Sequence, residues 1–447
     1  MPALCRFHRS LLPLALILIW AGPLGAPARA QEPPTIALPP MLTLDESLRL
    51  FRAHGLDLLL ADAAVASAKA NSLTAAAIPN PSLTGAYLYA PGYVAPPGCP
   101  TCTAGGVTVG LSDGAAFFDT VWGKRKLRRA VADAALRAAK MSRADAQRTL
   151  EFQLKQQYIQ AVLARDLLDF THEVQAAATQ VLELNQVRYR AGAISEADVA
   201  KVETAKLEAD ADADRAEQDL GTAKANLAFL LGVRGEVPEF KIEQDLPRFA
   251  VPASLAAATR DHLLRGAYEN RPDLKAAALN TQSAEAAIHS ARHLVLPDIQ
   301  LQVQFFAQGF ESQAINPPSL SFGVALPLPF LYQYQGEVTQ AEAQRRAATI
   351  GLAKLEAQVA ADVETGFRAY AGTRRRVERM EGGLLAAARR ARDLAQIQYQ
   401  KGAASLLEFL DAQRTFISIN VEYLRDLADF WTAVFQLEQA VGTELRR

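Results

Sequence analysis

Two stretches of this 447-residue chain repeat one another at an offset of 210 to 216 residues. Asp57-Leu58 stands as far before Pro81 as Asp273-Leu274 stands before Pro297. Leu184-Asn-Gln-Val-Arg-Tyr-Arg-Ala-Gly-Ala-Ile-Ser195 matches Leu394-Ala-Gln-Ile-Gln-Tyr-Gln-Lys-Gly-Ala-Ala-Ser405, and Leu231-Gly232 matches Val441-Gly442. A duplication of this length means one supersecondary unit used twice. The expected division is a leader over 1–30, a first repeat over 31–232, a linker over 233–254 and a second repeat over 255–447.

The leader reading rests on Arg6, His8 and Arg9, then an apolar run from Leu11 to Trp20, then Ala28-Arg29-Ala30, the pattern of a secretory signal peptide cut after Ala30. Cys5 leaves with it, and no cysteine follows the cut where a lipid could be attached. The remaining chain holds 44 basic and 48 acidic residues, a mild acidity that does not suggest a nucleic-acid partner. Half of the residues are hydrophobic, enough for a large core.

Each repeat reads as helix, two strands, long helix, turn, helix. Thr43 and Glu46 have capping-box spacing for the first helix. The second-repeat counterpart is expected to start near Ser254 and to break at Pro272. Ile299, Leu301, Val303 and Phe305 alternate with three glutamines, and Leu320, Phe322, Val324 and Leu326 alternate with small and polar residues. In the first repeat Leu83, Tyr87 and Tyr89 share a face, as do Val107, Val109 and Leu111. That makes four strands of about 10 residues, the length a tilted strand needs to cross a bilayer. One-sided alternation also suits a soluble sheet with one buried face.

No long uncharged apolar stretch follows the leader, so a membrane location requires a barrel. Four strands cannot close around a pore, and an open edge cannot face lipid, so several chains must pool their strands.

The segments from Gly123 to Arg190 and from Gly336 to Lys401 lack proline and almost lack glycine, predicting helices approaching 100 Å at about 1.5 Å per residue. Their apolar residues recur at three and four among many alanines, a pattern for side-by-side packing around a hollow cylinder or for a solid coiled-coil bundle. Both helices end at one kind of turn: Gly192 and Gly402 suit a left-handed residue, and Ser195 and Ser405 suit N-caps, with Asp198 and Glu408 three residues on.

Cys99 and Cys102 lie in a loop, as a local disulfide or as two free thiols, with no further metal ligands beside them. His289 and His293 are four apart but lack the glutamate of a zinc protease, and read as ordinary helix-surface residues. No phosphate loop, dinucleotide fingerprint or nucleophile elbow is present, and no cofactor is expected.

The tandem repeat, the element order, the turn Tyr399-x-x-Gly402-x-x-Ser405-x-x-Glu408-x-x-Asp411-Ala-Gln, and Pro327-Leu-Pro-Phe leading into Gly336-Glu resemble the TolC-like outer membrane efflux family, most closely its CzcC and CusC group. The resemblance spans the chain beyond the leader. It implies a mostly helical α+β fold and a homotrimer in the outer membrane, with a 12-stranded barrel in lipid and a helical tunnel in the periplasm. It implies efflux rather than catalysis, of heavy-metal cations or small molecules, with a periplasmic adaptor and an inner-membrane pump, commonly of the resistance-nodulation-division class. By position it implies adaptor contacts at Tyr189, Gly192, Ser195, Asp198, Tyr399, Gly402 and Ser405, and an acidic periplasmic gate at Glu408 and Asp411. Ala404 replaces an arginine that helps lock the closed mouth in the prototype. Other readings are a channel for type I secretion, a periplasmic adaptor, which would carry one hairpin rather than two, and a coiled-coil scaffold, which leaves the strands unexplained.

Overall fold

The computed structural model describes residues 36–99, 102–243, 246–309 and 317–445, so the signal-peptide reading lies outside the described residues. The first repeat runs β1 (Met41–Leu42), α1 (Leu44–His54), α2 (Leu56–Ala76), β2 (Ser82–Tyr89), β3 (Gly105–Ser112), α3 (Ala116–Val121), α4 (Lys124–Arg190) and α5 (Glu196–Leu230). After β4 (Lys241–Ile242) come α6 (Ala253–Ala256), α7 (Arg260–Asn270), α8 (Pro272–Arg292), β5 (Gln300–Gln308), β6 (Ser319–Ala325), α9 (Gln335–Arg379), α10 (Leu385–Gln400) and α11 (Leu406–Val441).

The two repeats assemble one antiparallel sheet in the order β2-β3-β5-β6. Each strand continues a helix, and the helices keep the same order: α2 packs on α4, α4 on α8, and α8 on α9. Beyond the middle of the molecule α5, α4, α11 and α10 follow one another in the same way. First-repeat elements thus form one flank at every level, and second-repeat elements form the other.

Several local expectations need correction. The strands are 7 to 9 residues long, shorter than the alternation suggested. Thr43 accepts from the Glu46 N–H at 3.1 Å, but Glu46 turns to Arg49 and does not complete a capping box. The cap of α7 is Thr259, whereas Ser254 donates to the Leu445 carbonyl. The break expected at Pro272 is present: α7 ends at Asn270, and Pro272 opens α8 at its first turn, where its missing N–H costs nothing.

A π turn over Met380–Leu384, at Gly382 and Gly383, separates α9 from α10, so the second long helix is not continuous. By contrast α4 runs unbroken for 67 residues, about 100 Å. Unforeseen from the sequence, β1 pairs in parallel with β4 and ties the start of the described chain to the linker.

The main core lies midway along the long helices, where Leu154, Tyr158 and Val162 of α4 meet Phe430, Val434 and Leu437 of α11 and Val359 and Val363 of α9. Beside it Arg271, only 4% exposed, joins α8 to α9 through Asp273 at 2.6 Å and Asp362 at 2.8 Å. Burial pushes the Asp273 carboxyl up, but the hydrogen bond and charge of Arg271, with the charge of Arg148, outweigh it and hold the group below the usual carboxylate range. A depressed folded-state value stabilises above the unfolded value, about 4, and is lost as pH falls through the folded value. The thermal midpoint should therefore drop on acidification below about pH 4, and Arg271→Met should flatten that dependence; an unchanged acid limb in the variant would refute the assignment.

Candidate functional site

Register decides what the sheet presents. Leu83 pairs with Leu111, Leu111 with Val303, and Val303 with Phe322. The next row, two residues along, is Gly85, Val109, Phe305 and Leu320. One face is therefore apolar across all four strands, while the other carries Thr84, Thr108, Gly110, Gln302, Gln304 and Ser321.

The apolar face has no cover among the described residues: Phe322 is 79% exposed, and Leu83, Leu111 and Val324 are exposed as well. So large an uncovered patch marks an interaction surface. The outer edges of β2 and β6 have no strand partner among the described residues. No helix there is long and apolar enough to cross a membrane. The loop between β2 and β3 carries a Cys99–Cys102 disulfide, settling the two readings of that pair.

At the other end lie the two hairpin turns. Gly192 and Gly402 have φ of 71° and 73°, the left-handed region that a side chain would strain. The Ala193 N–H donates to the Arg188 carbonyl at 2.9 Å, and the Ala403 N–H to the Gln398 carbonyl at 2.8 Å, closing both helices alike. Ser195 accepts from the Asp198 N–H at 3.2 Å and donates to its carboxylate at 2.8 Å; that hydrogen bond, with Lys201, holds the carboxyl low. Ser405 and Glu408 form the complete reciprocal box, with the Ser405 N–H donating to Glu408 at 2.8 Å. Glu408 is thus committed to the helix start, while Asp411, one turn on, is exposed.

The repeat-related tyrosines diverge. Tyr189 is 44% exposed, whereas Tyr399 is 7% exposed and donates to Asn185, which is completely buried. Tyr399 stacks on Phe409 at 5.4 Å and lies under the Arg188 guanidinium, which also donates to the Gln400 carbonyl at 2.9 Å. Tyr399 was expected at the contact surface; here it supports the tip from inside, because its ring fills the small core of Val202, Leu406 and Phe409.

Asn185 and Arg188 escaped the sequence reading. Their signal was the mismatch inside the repeat, where Ala395 and Gln398 occupy the corresponding places. No group of acidic, histidine or cysteine side chains able to hold a metal occurs among the described residues, and His293 only meets the His289 carbonyl at 2.9 Å.

The model of the outer membrane efflux protein family matches residues 48–233 and 263–443. The pyoverdine export outer membrane protein OpmQ of Pseudomonas putida is 26% identical, over 70% of this chain and 67% of its own length. The cobalt-zinc-cadmium resistance protein CzcC of Cupriavidus metallidurans is 23% identical, over 72% and 74%. The solved structure of CusC superimposes with a TM-score of 0.72 at 18% identity, covering 90% of this chain and 92% of that one, and so shares its fold. With both repeats matched by one family model, the chain belongs to the outer membrane efflux protein family: a TolC-like protein of the outer membrane that reaches into the periplasm, not an enzyme.

Proposed function

We propose that three copies of this chain pool their sheets into a 12-stranded barrel and their helices into a periplasmic tunnel, the exit duct of a tripartite efflux system. The observation that carries the reading is the sheet: its apolar face is uncovered and both its edges are open, a state that lipid on one side and further copies at the edges would satisfy. The adaptor would meet the turns at Tyr189, Gly192, Ser195, Asp198, Gly402 and Ser405, with Tyr399 stiffening them from within, and the pump would be of the resistance-nodulation-division class. The repeats would divide at the linker over 233–254, after removal of a leader over 1–30.

Heavy-metal cations are the proposed cargo. Support comes from Asp411, exposed one turn above Glu408, since three copies of each carboxylate around a narrow axis would attract cations. The likeness to CzcC points the same way, although OpmQ is named for a siderophore. Purified protein in a planar bilayer should conduct as a cation-preferring pore, and Asp411→Asn should lower that preference severalfold, with Glu408→Gln contributing less because its carboxylate serves the cap. An unselective wild-type pore whose selectivity neither substitution changes would end the gate assignment. Sensitivity of a deletion strain to drugs but not to cobalt, zinc or cadmium would end the cargo assignment.

A further inference from the structure

The two flanks left open by the protomer carry opposite charge. Helix α5 forms the far edge of one flank and holds nine acidic residues against four basic ones. Residues 335–401, which comprise α9, the π turn and α10 on the other flank, hold twelve basic residues against eight acidic ones. Much of this charge is unpaired among the described residues. Glu203, Asp214 and Glu217 are exposed and lie on one side of α5, beside the buried face made by Val202, Ala209, Ala213 and Ala216. Arg375 and Arg379 are exposed opposite the buried residues Thr373 and Val377 of α9, and Arg390 is exposed on α10. None of these six has an ion-pair partner among the described residues.

Their heights match. Arg188 reaches the Gln400 carbonyl at 2.9 Å, so the two hairpins end level. Glu203 lies 11 residues beyond Gly192, and Arg390 lies 12 before Gly402. Asp214 and Glu217 lie 22 and 25 residues beyond the first turn, and Arg379 and Arg375 lie 23 and 27 before the second. At about 1.5 Å per residue, both sets fall at about 17 Å and again at about 33 to 41 Å from the tips.

We infer that the seam between adjacent copies is a charge-matched contact, in which the acidic stripe of α5 on one copy faces the arginines of α9 and α10 on the next. The inference rests on the proposed assembly of several copies. Opposite charges on unlike flanks favour the head-to-tail contact that closes a ring, and oppose flank-to-like-flank pairing. Exposed pairs of this kind are screened by salt, so the seam is strongest at low ionic strength.

The test uses the full chain in mild detergent, with trimer fraction read by native mass measurement at low and high salt. Asp214→Lys with Glu217→Lys on α5, or Arg375→Glu with Arg379→Glu on α9, the two sets that lie at one height, should each lower the low-salt trimer fraction severalfold. A chain carrying all four reversals should recover it, because the two flanks are again complementary. A wild-type protein that never forms trimers would instead remove the assembly itself. Trimeric wild type with undiminished trimers in both single-flank variants, or no recovery in the four-fold variant, would overturn the seam.

Discussion

Phe322→Arg should abolish stable assembly in the outer membrane, whereas Gln304→Arg should leave it nearly intact. Phe322 stands at the centre of β6 on the apolar face, in the row formed with Val303, Leu111 and Leu83. Gln304 belongs to the neighbouring strand and points to the opposite face, where its side-chain amide donates to the Gln302 Oε1 at 3.3 Å. An arginine facing the middle of a bilayer costs about 2 to 4 kcal/mol in each copy, while one facing a water-filled lumen costs little. Three copies multiply the first penalty. The check is the fraction of each variant recovered in outer membranes as heat-resistant trimers. Normal recovery of Phe322→Arg would show that the apolar face does not meet lipid.

Lys155→Ala should produce the other large effect, in the middle of the helical body. Lys155 of α4 donates to Glu438 of α11 at 2.8 Å, both side chains being buried, and the other Glu438 oxygen accepts from the Leu445 N–H at 2.9 Å. The ammonium also lies 5.2 Å from the Phe435 ring. Removing the cation takes from the buried Glu438 carboxylate the charge that Lys155 supplies, a kind of change that costs about 3 to 5 kcal/mol. Replacing both partners by methionine removes the charge as well as the partner, so the double variant should regain most of the loss. Thermal inactivation rates of the single and double variants decide the matter: equal loss in both would place the effect in packing rather than in charge.

The helical hairpins were legible because their signals are local. A glycine able to take positive φ at 192 and 402, followed three residues later by a hydroxyl cap, closes one helix and opens the next whatever surrounds it. The absence of glycine and proline from α4 likewise foretold its length. The π turn at Met380–Leu384 was less legible, since a glycine pair in a helix permits an irregular turn without requiring one.

What the sequence determined by itself was the duplication, the alternation of four short strands and the caps of the long helices, all set by neighbours within one turn or one pleat. What only the tertiary structure decided was the register that places Leu83, Leu111, Val303 and Phe322 in one apolar row, the burial of Tyr399 against Asn185 where Tyr189 stays exposed, and the union of Arg271 with Asp362. These pairings join residues far apart in the chain. A strand shifted by one residue would keep its alternation and reverse its faces, so nothing in the local pattern fixes the partner.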